Sequence, residues 1–537
     1  MLRRLSFAAV AILVAGCLSS PTPAPSSASG PTASPVAASS SNPTPNASPT
    51  PVGTVPSTFP LAVVTGMTNL KAVITVSELQ TLAAAGTLTM PCGVEVTKPA
   101  LASKAPCVAA DHIAAVIHKS AKAIALLPPG LVQPSTKVLA FAGSGPYGLF
   151  GPDLFGDPAA RALPYPLEAK PTGSPALDPA WTAYDASQVW MLDSVGSMCA
   201  DRGAAHQAVT LGKGWDWVIK GGTADYKGKP IPNPNPPPGI IRQIVARPFD
   251  TGNTGATAEV IRGADVTLAD LKCPILPDSK WHANDNTTAL NFSVPETIVS
   301  RWKDLLGVDV IYLPADHQSD KGVSGIKSTL SILNKNKIPH TGEGLNLDQA
   351  LQPAWFEVEG LKLAFVSWDD VPGPAHASAT TPGVAWLTKA NVDAAVKNAK
   401  AGGANLIICD PQWWGPDEYV DHLTASMKQA VSWMDAAGCD QIIGGGLHVS
   451  GPLNLRERNG GVSMVLGYTG NFEFGQDWAQ DVQEGTILDA SFVGTRLVNV
   501  RLIPYVMLLA ARADLTDPEG AGHYVLQRIY GKSDLDY

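Results

Sequence analysis

The chain has 537 residues, 45% of them hydrophobic and 16% charged, with a formal net charge of −9. That mild acidity argues against a nucleic-acid partner, and the length suffices for two or more domains of roughly 100–200 residues each. No segment reaches about 18 unbroken apolar residues, so no finished membrane-spanning helix is expected.

Arg3 and Arg4 precede the apolar stretch Leu5–Leu13, the charged and apolar regions of a secretion signal. Val14-Ala15-Gly16-Cys17 resembles a bacterial lipobox, which implies cleavage after residue 16 and a lipid on Cys17. Losing the signal, residues 1–16, removes two arginines and takes −9 to about −11. The rest of 17–57 is almost wholly Pro, Ser, Thr, Ala, Gly and Asn without a charge. Such a segment cannot bury a core, and extends to at most about 3.1 Å per residue. It reads as a tether, so the folded part is expected outside the cytoplasm, lipid-anchored to a bacterial membrane.

Residues 58–180 read as a small α/β domain. Pro60–Thr65 and Lys137–Phe141 have strand composition, Ser77 is a helix cap with closure near Gly86, and Asp111–Ala125 has a helical pattern. With Pro164-Tyr165-Pro166-Leu167 at its end, this order faintly resembles part of a periplasmic phosphate-binding-type protein, and no binding residue carries over.

The next unit spans 185–510. Strands are expected at Val189–Val195, Asp265–Leu268, Val308–Leu313, Leu361–Ser367, Leu406–Cys409, Gln441–Ile443, Met464–Tyr468 and Leu497–Ile503. Helices are expected at Pro295–Leu306, Gly322–Asn336, Lys389–Ala401 and Asp421–Ala437, a surface loop at Pro232–Pro238, and a helical tail over 511–537 centred on Gly522–Tyr530. The mixture of helix-linked and adjacent strands predicts mixed sheets. Besides Cys17 there are six cysteines. In an oxidising compartment these allow three bridges, with Cys92–Cys107 the first choice and Cys199–Cys273 the second.

Four polar segments follow apolar runs: Gly196–Gly203, Ala269–Pro274, Ala315–His317 and Gly444–Val449. Loops at the carboxyl ends of strands converge on one crevice in an open α/β sheet, so these segments are expected to meet. In order and spacing they resemble the motifs of the capsule-synthesis CapA family, the poly-γ-glutamate biosynthesis type. The matching pieces include Met198-Cys199-Ala200-Asp201-Arg202-Gly203, Ala269-Asp270-Leu271-Lys272-Cys273-Pro274-Ile275 and Leu313-Pro314-Ala315-Asp316-His317. Ile338-Pro339-His340-Thr341-Gly342, Trp414-Gly415-Pro416-Asp417-Glu418-Tyr419, Gly446-Leu447-His448-Val449 and Gly470-Asn471-Phe472-Glu473-Phe474 continue the series. The resemblance implies an α/β calcineurin-like metallophosphatase fold with mixed sheets and flanking helices, preceded by the small α/β domain.

The resemblance also implies a metal centre, and this chain departs from it. Ser197 stands for an Asp, Lys272 for a carboxylate, Ala315 for an Asn, and Gly445 and Gly446 for two His; Gln412 or Trp413 stands near a further His. The donors left are Asp270, Asp316, His317 and His448, with His317 as the natural general acid. Four donors suffice for one divalent cation, Mn, Zn or Fe, and the depleted set equally admits none. Arg202, Lys272, Gln412, Trp414 and Asn471 are the candidate substrate-binding residues. Lys272 either points away, offers a fixed charge to an anionic substrate, or pairs with Asp270 or Asp316. Local capping by the two Asp, satisfied half-buried His, and core packing by Trp413 and Trp414 are the plain structural alternatives, and Asp369 and Asp370 either face the same crevice or, the favoured reading, lie in a solvated loop.

Three functions follow as expectations. The first is a membrane-tethered CapA-like protein in capsule or poly-γ-glutamate-type polymer biosynthesis or export, with weakened or absent hydrolysis. Its partners would be the surface polymer or an anionic small-molecule substrate, the membrane through Cys17, and capsule-assembly membrane proteins. The second is an active metal-dependent hydrolase of a phosphoester or γ-glutamyl amide. The third is an extracytoplasmic solute- or polymer-binding lipoprotein.

Overall fold

Alternation within the strands sorts their side chains between two faces and so builds the layers. In the computed structural model, which describes residues 54–173, 175–227, 231–232, 244–245, 247–283, 290–458 and 460–535, two large sheets stack face to face. The secretion signal, Cys17 and most of the linker lie outside the described residues, as does most of Pro232–Pro238. Pro232 itself pairs in a short two-stranded ladder with Ile244 rather than lying in a loop.

The site-bearing strands of the first sheet are β1 (Val189–Cys199), β2 (Val266–Leu271) and β3 (Val310–Tyr312), paired in parallel in that order. Those of the second sheet are β4 (Leu361–Asp369), β5 (Leu406–Gln412), β6 (Gln441–Ile443) and β7 (Gly461–Leu466), also parallel. Trp190, Leu192, Leu268 and Tyr312 from the first sheet meet Leu363, Phe365, Ile408 and Leu466 from the second in one buried core. The alternate residues face outward onto helices. Val195, Leu271 and Ile311 pack with the elements around Trp215–Lys220 and Gly322–Asn336, and Val366, Ile407 and Ile442 with Lys389–Ala401 and Ala425–Ala437. With both faces covered, these strands read in sequence as near-continuous apolar runs. The expected mixed sheets with flanking helices are present, because antiparallel strands at 484–515 extend the first sheet.

Strand β1 changes partners along its length. Val189–Ser194 pairs antiparallel with Glu484–Val493, whereas Ser197–Cys199 pairs in parallel with β8 (Asn471–Phe474). Gly196 marks the exchange. A Cβ there would fall 1.7 Å from the Gly470 carbonyl oxygen, so only glycine permits this backbone approach.

Several boundaries differ from expectation. The first helix is Val76–Ala85, capped by Thr75 rather than Ser77. The helix predicted over Asp111–Ala125 stops at Lys119, and Ile124–Leu127 is a central strand of a small four-stranded sheet. Lys137–Phe141 divides at Leu139 into two short strands with different partners. Residues 511–537 are not helical throughout, since Arg512–Leu515 adds a strand to the first sheet before the helix His523–Tyr530.

The residues at 59–171 form their own small sheets and pack against the first large sheet. The Val138 amide donates to Asn499 Oδ1 at 3.0 Å, Ser491 Oγ donates to the Phe155 carbonyl at 2.6 Å, and the largely buried Arg501 side chain pairs with Asp153 and Asp489. Disulfides join Cys92–Cys107 and Cys199–Cys273, as expected, and also Cys409–Cys439. No helix among the described residues is long and apolar enough to cross a membrane.

Candidate functional site

Parallel pairing of β1–β3 and of β4–β7 brings their carboxyl ends to one side of the stacked sheets, and the four polar segments meet there. Ser197 from the first, Asp270 and Lys272 from the second, Asp316 and His317 from the third and His448 from the fourth are tied together by direct contacts or through one shared residue.

Lys272 sits at the centre. Its side chain is 0% exposed, its Nζ donates to the Gly446 carbonyl at 3.2 Å, and it lies 3.5 Å from Asp316 Oδ1. The ammonium also stands 5.6 Å from the centre of the Phe474 ring, within cation–π range. Burial opposes a charge here, yet Asp316, Glu418 and Asp270 outweigh it and hold the lysine above its ordinary pKa. Of the three options the sequence left open, pairing with Asp316 is the one observed. Full burial removes the ammonium from direct contact with a substrate in this conformation, which corrects its expected role as a binding group.

The neighbouring groups are mutually engaged. Tyr468 OH donates to Asp270 Oδ2 at 3.0 Å and shares a hydrogen bond with Ser197 Oγ. Burial pushes the Asp270 carboxyl up to about 7, against the pull of Lys272 and the Tyr468 hydroxyl. His317 spans Asp316 at 3.1 Å through Nε2 and Asp320 at 2.9 Å through Nδ1. His448 places Nδ1 at 2.8 Å from Asn471 Oδ1 and Nε2 at 3.0 Å from Glu418 Oε2. Burial and then the Lys272 ammonium lower its pKa, although Glu418 and Asn471 favour the imidazolium. Glu418 is drawn far below the carboxylate range because Lys272 and His448 overcome the effect of its burial.

The positions that replace expected ligands are closed by packing. A Cβ on Gly445 would lie 1.9 Å from Gln412 Nε2, and one on Gly446 would lie 2.8 Å from the Trp413 carbonyl at a φ of +86°. Gln412 is wholly buried and donates to Asp410 Oδ1 at 2.9 Å, so it is a packing and pairing residue rather than a substrate contact. Trp413 is wholly buried too, and its Nε1 donates to the Gly467 carbonyl. Trp414 is half-buried on the following loop. Asn471 is buried and holds His448, and Asp369 is buried rather than solvated. Arg202 lies with its guanidinium 4.6 Å from the Phe292 ring centre and 5.2 Å from that of Phe474, at a φ of +45°.

This donor set does not fit a divalent metal. An ammonium is directed at Asp316, Asp270 is held by a tyrosine, and both His448 nitrogens face oxygens of the protein. Among the described residues no group of three or more His, Cys, Asp or Glu side chains is placed to hold a metal ion. Sequence reasoning missed three members of the cluster. Glu418 lay inside a quoted motif and Tyr468 at the end of an expected strand, where only long-range pairing distinguishes them, and Asp410 lay within the polar end of β5, held by Gln412 two residues on.

The sequence comparisons agree with the order of these segments. Residues 237–476 match the family described as bacterial capsule synthesis protein PGA_cap. The chain is 24% identical over 228 residues to capsule biosynthesis protein CapA of Bacillus anthracis, covering 41% of this chain and 53% of the relative. It is 26% identical over 223 residues to PGA biosynthesis protein CapA of Bacillus subtilis (strain 168), covering 41% and 56%. The chain thus spans about half the length of the curated relatives it matches. Among solved structures, the NAD nucleotidase NadN of Haemophilus influenzae aligns with a TM-score of 0.33 at 12% identity, over 65% of this chain and 57% of that one. Residues 237–476, which hold the lysine-centred cluster apart from Ser197, are thus similar to the bacterial capsule synthesis family PGA_cap.

Proposed function

We propose that this protein acts outside the cytoplasm, held to the membrane by a lipid on Cys17, in assembly or export of a capsule-like or poly-γ-glutamate-type polymer, with hydrolytic activity weakened or absent. The observation that carries the reading is the family match across 237–476, together with two relatives named for capsule and PGA biosynthesis. Three disulfides support an oxidising compartment. Placement of Lys272 supports the loss of hydrolysis, since metal-assisted attack needs a cation with an open coordination position.

Deleting the gene in its own host and measuring surface polymer tests the role. Loss of polymer that the wild-type gene restores and Cys17→Ala restores poorly is expected; unchanged polymer would overturn it. Purified protein supplied with Mn, Zn or Fe should turn over phosphoesters and γ-glutamyl amides no faster than its Asp316→Ala and His448→Ala variants.

A further inference from the structure

We infer that the Lys272 ammonium is the resident cation of this crevice, occupying the role a divalent metal would fill, so that the site assembles without metal. The inference rests on reading the crevice as the counterpart of the family's metal centre, and it is independent of which polymer is handled.

The argument begins with charge. Buried carboxylates persist only when paired or protonated, and a buried cluster of them needs a positive partner. Asp316 receives Lys272 directly, and Asp270, Glu418 and His448 face the same ammonium from the ends of the other strands and from the loop after β5. The Gly446 carbonyl and the Phe474 ring complete its surroundings. A lysine here therefore supplies one fixed positive charge, delivered by the chain itself.

Geometry excludes a simple coexistence with metal. The backbone at Gly445 and Gly446 is packed against Gln412 and Trp413, leaving no room for side chains that would add ligands. The nitrogens of His448 and the carboxylate oxygens of Asp316 are directed at protein partners. Loss of ligands and gain of an internal cation are thus two halves of one arrangement.

The test uses purified full-length protein. Wild type incubated with MnCl2 or ZnCl2 and desalted should hold less than about a tenth of a metal ion per chain, and its melting temperature should not move with EDTA or with either salt. Lys272→Met should melt lower, and added MnCl2 should raise it where the wild type is unmoved. Lys272→Met combined with Asp316→Asn should melt higher than Lys272→Met alone, because the uncompensated charge is gone. A stoichiometric metal ion in the wild type would overturn the inference, as would a Lys272→Met protein as stable as wild type. Should Lys272→Met fail to fold, the metal content of the wild type decides alone. Polymer loss on gene deletion is a separate result, so either reading can fail without the other.

Discussion

Tyr468 donates its hydroxyl to Asp270 across the seam between the two sheets, 3.0 Å from oxygen to oxygen, with both groups buried. The bond joins the loop after β7 to the end of β2. Asp270 Oδ1 has no hydrogen-bond partner, so Oδ2 carries the whole of the carboxyl's neutral hydrogen bonding. Tyr468→Phe keeps the ring and removes the donor. It should cost about 1–3 kcal/mol in urea unfolding, the usual penalty for stranding a buried polar group. No change in midpoint would show that the carboxyl finds another donor.

Gly445 and Gly446 make contrasting predictions. At Gly445 the obstacle is the Gln412 side chain, so Gly445→Ala should destabilise by about 1–3 kcal/mol in the wild-type background and by much less in a Gln412→Ala background, which itself loses the bond to Asp410. At Gly446 the obstacle is the Trp413 backbone and a positive φ, so Gly446→Ala should cost about the same in the wild-type and in the Gln412→Ala background. Thermal melts of the two single glycine variants, of Gln412→Ala and of the two doubles separate the two cases.

The pH dependence follows from buried acids. Burial holds Asp270 and Glu473 near 7, lifts Asp309 and Asp514 to about 6, and raises Glu343 well above the ordinary range. In each case the folded form keeps a proton that the unfolded chain releases near pH 4 (about its reference value). Their contribution to stability is therefore complete below about pH 4 and is lost as pH rises through 6 and 7. Glu343 is the cleanest probe, because neither of its oxygens has a hydrogen-bond partner. Glu343→Gln should raise the urea midpoint at pH 8 and leave it nearly unchanged at pH 5. A larger gain at pH 5 would contradict the sign.

Arg501 ties the N-terminal segment to the first sheet through Asp153 and Asp489, all three side chains being largely buried. Arg501→Ala leaves two carboxylates without their shared partner and should cost about 3–5 kcal/mol. Limited proteolysis should then cut the segment before residue 185 sooner than the rest of the chain. Equal rates would show that apolar packing alone secures it.

Much of the layering was legible because local signals agreed with it. Gly322–Asn336 and Lys389–Ala401 were read with the boundaries observed, since each carries a helical apolar face and a clear stop. Asp421–Ala437 began early because Thr424, not Asp421, accepts from the first turn. Asp111–Ala125 overran because the buried strand Ile124–Leu127 continues the apolar spacing of the helix before it, and only pairing with Ala62–Gly66 reveals the change. The convergence of the polar segments followed from strand polarity. The direction of Lys272, the partnership of His448 with Glu418 and the bridge through Tyr468 did not, because each depends on residues 30 to 198 positions away and on which side of a loop a chain turns.

The close fit of Gln412 beneath Gly445 also limits which substitutions the crevice accepts. A mutation placing histidine at Gly445 meets Gln412 first, and one replacing Gln412 alone strands the buried Asp410. Either step on its own weakens the fold. Packing of this kind works as a lock: a side chain at Gly445 and the bond that holds Asp410 compete for the same space, so the two positions can change only together.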